Sequence, residues 1–97
     1  MIIEYKTKAI EKVCTNAYAA TKKFGQKMAD KIHQRIDEID AADSVEEMIQ
    51  YKVGRCHPLH NNRQNQYAVD LVHPYRLVFE KCRSEIVVNI IEVVDYH

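Results

Sequence analysis

Residues 86–94 read IVVNIIEVV, and seven of these nine residues are β-branched. Such a run is typical of a strand that lies centrally in a sheet or is covered on both faces. Two shorter runs precede it, at residues 67–71 and 75–79, and in both an apolar residue occupies every second position. Because Pro74 between them has a φ fixed near about −65°, we expect their connection to exceed two residues. The second half of the chain is therefore predicted to be rich in strands.

The first half has helical periodicity instead. Two apolar stripes have the spacing of amphipathic helices, one made of Ile10, Val13, Cys14, Ala17 and Tyr18, the other of Met28, Ala29, Ile32, Ile36 and Ile39. Gly25 lies between the stripes, so we expect a hairpin of two helices. Ser44 and Glu47 fit a capping box and predict a short helical turn at about residues 44–50. Residues 2–5 are apolar enough to form a brief first strand.

The composition is that of one small globular domain covering residues 1–97. Hydrophobic residues make up 46% and charged residues 29% of the chain, with only two Gly and two Pro. No apolar run approaches the roughly 20 residues that a membrane-spanning helix needs, and the first residues do not resemble a signal peptide. We therefore expect a cytoplasmic protein with no membrane association.

The three cysteines, Cys14, Cys56 and Cys82, form no C-x-x-C motif. An odd number at these spacings indicates neither a disulfide framework nor a zinc knuckle. Reduced thiols are therefore the expectation.

Charge is balanced overall but alternates along the chain. The 14 basic and 14 acidic residues give a formal net charge of zero, so the chain lacks the overall positive field of many nucleic-acid-binding proteins. Successive blocks, residues 1–35, 36–50, 51–83 and 84–97, have net charges of +5, −6, +4 and −3. Such blocks are most often solvated surfaces, but they also allow an anionic ligand and a basic partner to bind different faces.

Histidine is frequent, and four of the five residues fall in the second half: His57, His60, His73 and His97. Imidazole titrates at about pH 6.5 and can exchange a proton under cellular conditions. A single histidine in a loop is usually a surface residue, whereas this clustering favours chemistry. His57 and His60 have an i, i+3 spacing that would need a helix to form a metal site, and Pro58 opposes a helix. We therefore predict no metal.

Two arginines, Arg55 and Arg63, lie in a polar stretch that is predicted to be an exposed loop, and Arg76 lies in the next strand. A guanidinium group has a permanent charge and a planar fork of donors that suits phosphate. Alternation places Arg76 on the face opposite the apolar residues of its strand. Its structural alternative is a cross-strand ion pair with Asp70 or Glu80.

The chain ends in Asp95, Tyr96 and His97, which directly follow the apolar strand. All three side chains can donate or accept a hydrogen bond or a proton. Strand alternation predicts that Asp95 and His97 share one face and that Tyr96 lies on the other. The alternative is a frayed polar end without function.

Several segments together form a specific combination: CHPL at residues 56–59, Arg63, QYAV at residues 66–69, YRLVF at residues 75–79 and EVVDYH at residues 92–97. The combination resembles the HigB-type killer toxins of bacterial toxin–antitoxin pairs, in the RelE/ParE superfamily. The resemblance implies an α+β, RelE-like fold in which two N-terminal helices pack on a small, mostly antiparallel β-sheet. It also implies a ribosome-dependent endonuclease that cleaves mRNA without a metal or cofactor, by attack of the ribose 2′-OH.

The resemblance further implies which residues form the site. It assigns catalysis to His57, Asp95, Tyr96 and His97. It matches Arg76 to the family's phosphate-binding arginine. Beside Arg76, we predict that Arg63, His60 and Arg55 also bind RNA phosphates. The implied partners are the ribosome, mRNA and a HigA-like helix-turn-helix antitoxin, with DNA contacted only through the antitoxin.

The chain also departs from the family pattern. His60 replaces a frequent lysine, Val72 a frequent basic residue, and Asn61 and Asn62 stand where relatives often have glycine. Fewer cations weaken binding to RNA. Two alternatives therefore stay open: a non-enzymatic, ParE-like toxin that binds DNA gyrase, and a degenerate member that only binds an antitoxin.

Overall fold

The computed structural model describes residues 1–60 and 63–95. In chain order its elements are β1 (Ile2–Tyr5), α1 (Lys8–Thr15), α2 (Ala17–Phe24), α3 (Gln26–Ala41), α4 (Val45–Gln50), a 3-10 turn (Val53–Arg55), β2 (His57–Pro58), β3 (Gln66–Asp70), β4 (Tyr75–Lys81) and β5 (Val87–Asp95). Every helix in these two ranges is too short or too polar to cross a bilayer.

The strands of the described ranges form one sheet in the order β1-β5-β4-β3-β2. β1 pairs with β5 in parallel and the other pairs are antiparallel, so the sheet is mixed. β5 lies between β1 and β4, which confirms the interior position predicted from residues 86–94. Four residues separate β3 from β4, which confirms that their connection exceeds two residues.

The helical half differs from the predicted pair of helices. The described ranges contain four α-helices, and the predicted first helix is divided into α1 and α2 at Asn16. Asn16 has φ −128° and ψ 110°, outside the helical region. The apolar stripe therefore does not continue across it, and Tyr18, which was predicted to lie on the buried stripe, is 75% exposed. The expected pair of N-terminal helices is thus corrected to four α-helices in the described ranges. The sheet that was expected to be mostly antiparallel is mixed, with β1 parallel to β5 and three antiparallel pairs.

Asn16 forms caps for both helices that meet there. Its backbone N–H donates to the carbonyl of Lys12 at 3.0 Å, at the end of α1. Its side-chain Oδ1 accepts from the backbone N–H of Ala19 at 3.0 Å, in the first turn of α2. An asparagine side chain is among the best acceptors for the free N–H groups at a helix start.

We expect Asn16→Ala to lower the free energy of unfolding by about 1 kcal/mol, because the substitution leaves an N–H group of α2 without its side-chain acceptor. Asn16→Asp retains the acceptor and should stay close to the wild type. Urea unfolding followed by circular dichroism would measure both. Equal stability of the alanine and aspartate variants would contradict this role for the side chain.

The remaining helix boundaries agree with the sequence. Gly25 separates α2 from α3 with a φ of 88°, in a region that favours glycine. Ser44 caps α4 by accepting from the backbone N–H of Glu47 at 3.0 Å, as predicted. In a full capping box the carboxylate of Glu47 would accept from the backbone N–H of Ser44. Here it accepts instead from the backbone N–H of the preceding residue, Asp43, at 3.5 Å.

A short strand lies in the stretch that was predicted to be a loop. β2 pairs with β3, His57 opposite Ala68 and Pro58 opposite Tyr67. β2 is at the edge of the sheet, where a proline without an N–H group is tolerated. This pairing fixes His57 on the sheet.

The two faces of the sheet have different roles. One face packs into the hydrophobic core together with helical residues, and its buried members are Val69, Leu71, Leu77, Phe79, Val88 and Ile90. Because neighbouring residues of a strand point to opposite faces, Asp70, Arg76 and Val78 lie on the other face. His57 shares that face, since it is paired with Ala68, two positions from Asp70. We call this second side of the sheet the open face; Asp70 and Arg76 are partly exposed on it, whereas Ala68 and Val78 are buried.

Candidate functional site

The centre of the candidate site is a carboxylate shared by two arginines. The register of β3 and β4 places Asp70 directly opposite Arg76. Arg76 Nε lies 3.3 Å from Asp70 Oδ1, and Arg55 Nε lies 3.2 Å from Asp70 Oδ2. The cross-strand pair of Arg76 with Asp70 considered from the sequence is therefore present, and Arg55 joins it.

A third arginine, Arg35 of α3, reaches the same residue from the helical layer. Its Nε donates to the backbone carbonyl of Asp70 at 2.6 Å, and its Nη1 lies 2.8 Å from Glu38 Oε1. The approach depends on Gly54, because a Cβ at that position would lie 2.7 Å from Arg35 Nε. Sequence patterns did not indicate Arg35, since it lies on the polar side of the α3 stripe as an ordinary surface residue would.

The backbone before β2 places Arg55 and His57. Arg55 has a φ of 55°, a left-handed conformation that is uncommon for residues other than glycine. Its carbonyl lies 2.8 Å from Nδ1 of His57. Since a carbonyl only accepts, Nδ1 must be the donor, and the Nε2 of the neutral ring is then a proton acceptor. This hydrogen bond fixes both the orientation and the tautomer of His57.

A cleft of about 150 Å³ lies beside the shared carboxylate. It is lined by Arg55, Asp70, Leu71, His73, Pro74, Tyr75 and Arg76. We call it the arginine cleft. His73 was noted in the sequence only as one of several clustered histidines, and Tyr75 only as an apolar strand residue. Both positions become site residues because the β3–β4 connection folds over the cleft.

Other predicted phosphate-binding residues lie outside this cleft. Arg63 Nη2 is 3.7 Å from Glu92 Oε2, and Glu92 pairs with Val78 of β4. Arg63 therefore lies against a different acidic residue from Arg55 and Arg76. His60 is exposed and follows β2.

The predicted catalytic residues at the end of the chain are only partly described. Asp95 is exposed and lies opposite Tyr75 at the end of β5. Its partner Tyr75 and the alternate residue Val93 pack against the core, so the strand register places Asp95 on the core side of the sheet. Arg76 lies on the open face. Tyr96 and His97 lie outside the described residues. The described chain thus brings Arg55 and Arg76 together and places His57 on the same face. It places Asp95, at the end of β5, in the row of the opposite face.

The cysteines offer no nucleophile at neutral pH. Burial raises the pKa of Cys14 and of Cys56 to about 12. Burial is also the main cause of the raised pKa of Cys82, which is only partly buried. The thiolate is the reactive form, so all three thiols are suppressed at neutral pH. Among residues 1–60 and 63–95, no cluster of three or more His, Cys, Asp or Glu side chains could hold a metal ion.

We expect Cys82 to react with a chromogenic disulfide reagent at about pH 8 well before Cys14 and Cys56, because it is the most accessible of the three thiols and the pKa of each is raised. Cys14 and Cys56 should react only when the protein unfolds, since both are buried. Counting thiols released before and after addition of urea would measure this. Fast reaction of a second thiol in the folded protein would contradict the burial of these two residues.

Fold and site together define a class: a small α+β domain whose mixed five-stranded sheet has an arginine–carboxylate cluster on its open face. Three solved structures share this fold over 100% of the chain. Two come from Staphylococcus aureus: the YoeB dimer, with a TM-score of 0.64, and the YoeB-YefM complex, with a TM-score of 0.65; each is 23% identical in sequence and covered over 97% of its own chain. The third is the YoeB/ParE toxin from Agrobacterium tumefaciens, with a TM-score of 0.65, 13% sequence identity and 100% of its own chain covered.

No family model matches the chain, and no curated protein matches its sequence. The structural likeness establishes that the chain has the fold of YoeB and ParE toxins. This likeness concerns the fold alone, so membership of the RelE/ParE superfamily and the HigB subtype both stay predictions.

Proposed function

We propose that this chain is the toxin component of a type II toxin–antitoxin system and that it cleaves mRNA on the ribosome. The observation that supports this most strongly is the arrangement on the open face. Arg55 and Arg76 converge there on one cleft, and His57 lies on the same face with its Nε2 as the proton-accepting nitrogen. Cations for a phosphate and a base for a hydroxyl proton are what RNA cleavage by 2′-OH attack requires.

In the proposed reaction, the 2′-oxygen attacks the adjacent phosphorus and the 5′-oxygen of the next nucleotide departs. Nε2 of His57 accepts the 2′-OH proton, and Arg76 neutralises the charge that develops on the phosphorane. His97, oriented by Asp95, donates a proton to the departing 5′-oxygen, and Tyr96 stacks on a base. The products are a 2′,3′-cyclic phosphate and a 5′-hydroxyl, so atoms and charge balance without a metal or cofactor.

The proposed partners follow from this function. The chain would bind the ribosome and mRNA, with Arg63 and His60 as further contacts to RNA phosphates. A HigA-like helix-turn-helix antitoxin would bind and inhibit it in the cytoplasm, and DNA would be contacted only through that antitoxin. One structure with this fold is the YoeB-YefM complex, in which a toxin of this fold is bound to another protein.

One observation favours the second candidate, a degenerate member that binds an antitoxin without cleaving RNA. Both cleft arginines already face a carboxylate, Asp70, which competes with a phosphate for them. A ParE-like toxin would instead inhibit DNA gyrase and would not depend on His57. Cleavage and gyrase assays on the same preparation separate the three candidates.

We expect His57→Gln to lower the rate of mRNA cleavage on programmed ribosomes by about 100-fold, since positioned general bases contribute roughly 10²–10⁴-fold. Primer extension would locate the cleavage and measure its rate. His33→Gln is the matched control, because His33 lies on α3 and contacts the carbonyl of Val13 at 3.1 Å. Equal activity of the two folded variants would contradict the role of His57. Uncut mRNA with the wild type would contradict the nuclease itself.

A further inference from the structure

We propose that Asp70 determines which phosphate the arginine cleft binds. It makes the cleft select a singly charged phosphodiester, as found inside an RNA strand, over a doubly charged terminal phosphate. The inference rests on the proposed function, since it names the form of substrate that the same cleft accepts. It concerns a residue that neither the family resemblance nor the proposed reaction uses.

Asp70 is built into the cleft as a fixed anion. Its two carboxylate oxygens face different guanidinium groups, those of Arg55 and Arg76, at 3.2 and 3.3 Å. Its backbone belongs to the β3–β4 ladder, and its carbonyl accepts from Arg35 at 2.6 Å. The Asp70 side chain is only 26% exposed. A ligand in the cleft therefore lies beside this carboxylate.

The charges around the cleft sum to a single positive charge. Of the residues that line the cleft, Arg55 and Arg76 are cations and Asp70 is an anion, whereas Arg35 and Glu38 neutralise each other as an ion pair. A phosphodiester has one negative charge and neutralises this cluster. A phosphate monoester is close to doubly charged above its second pKa of about 6, so it would leave a net negative cluster beside Asp70. The second negative charge of such a ligand would be repelled by the Asp70 carboxylate, and this repulsion is stronger where water is partly excluded.

The contact geometry leaves room for such a ligand. The Arg55 side chain is 75% exposed, so the donors that do not face Asp70 are accessible from solvent. Asp70 Oδ1 is buried and contacts Arg76 through charge, without an aligned hydrogen bond. The cleft volume of about 150 Å³ corresponds to about five water molecules, which suits one phosphate group.

Two probes with one phosphate each would test the inference by NMR titration at about pH 7.5. The first is a 2′-O-methylated uridine dinucleotide, which has a phosphodiester that the reaction would not cleave. The second is uridine 3′-monophosphate, which is dianionic at this pH. The proteins compared are the wild type, Asp70→Asn and the matched control Glu85→Gln, which removes one carboxylate in the connection between β4 and β5.

We expect the wild type to bind the dinucleotide more tightly than the monophosphate. Asp70→Asn should bind the monophosphate roughly tenfold more tightly than the wild type does, with a change of at most about threefold for the dinucleotide. Glu85→Gln should bind both probes as the wild type does. Asp70→Ser would be used in the same way if the asparagine variant failed to fold.

Equal gains for both probes, weaker binding of both, or no binding of either probe to the folded variant would overturn the role of Asp70. These titrations contain no ribosome, so they are independent of cleavage. A shift in selectivity without cleavage by the wild type would count against the proposed function alone. Cleavage by the wild type with unchanged selectivity in Asp70→Asn would count against the inference alone.

Discussion

Replacing Arg76 by alanine is expected to lower ribosome-dependent mRNA cleavage by roughly 10²–10³-fold. Arg76 is the cleft cation fixed in a central strand of the sheet, and preorganised charge at the reacting phosphate is often the largest single contribution to such a rate. Arg76→Lys retains the charge without the planar fork and should fall between the alanine variant and the wild type. The rate at saturating ribosome concentration, followed by primer extension, is the relevant measurement.

The loss must be separated from damage to the fold. Removing Arg76 leaves Asp70 with one guanidinium fewer, which by itself destabilises a partly buried carboxylate. Arg76→Ala combined with Asp70→Asn removes that effect, and this double variant should still cleave roughly 10²–10³-fold more slowly than the wild type. Arg83→Ala is the matched control, because Arg83 is an exposed arginine that pairs with Glu4 at the other end of the sheet. Activity in the folded double variant near that of Arg83→Ala would contradict the prediction.

Phe79→Ala is expected to have the largest effect on stability, lowering the free energy of unfolding by about 3–5 kcal/mol. Phe79 is fully buried in β4, and its ring stacks on that of Tyr67 with centroids 5.8 Å apart. Because small domains are stable by only about 5–15 kcal/mol, this loss would leave a marginal protein. Urea unfolding at several temperatures would measure it.

Phe24→Ala provides the comparison for Phe79→Ala. Phe24, at the end of α2, is only partly buried, so removing its ring should cost clearly less. Similar losses for both variants would show that β4 does not lie at the centre of the core. A decrease of less than about 1 kcal/mol in the free energy of unfolding of Phe79→Ala would also show that β4 does not lie at the centre of the core.

Local patterns were sufficient to predict most elements of the sheet. β-Branched and alternating residues gave β3, β4 and β5, because these preferences arise from each residue and its near neighbours along the strand. Ser44 as the start of α4 followed from the same kind of local hydrogen bonding. The break at Asn16 was missed because helical periodicity continues in the sequence across a residue whose side chain forms a cap.

The sequence by itself determined that Asp70 and Arg76 could meet, since two alternating strands joined by a short connection pair in a register that local spacing sets. It did not determine that Arg55 and Arg35 would join them. Arg35 comes from a helix 35 positions away along the chain, and its contact depends on how α3 packs against the sheet and on the space at Gly54. The parallel pairing of β1 with β5 and the row in which Asp95 lies were also decided by packing. Contacts between distant segments depend on the shape of the whole core, which no local pattern specifies.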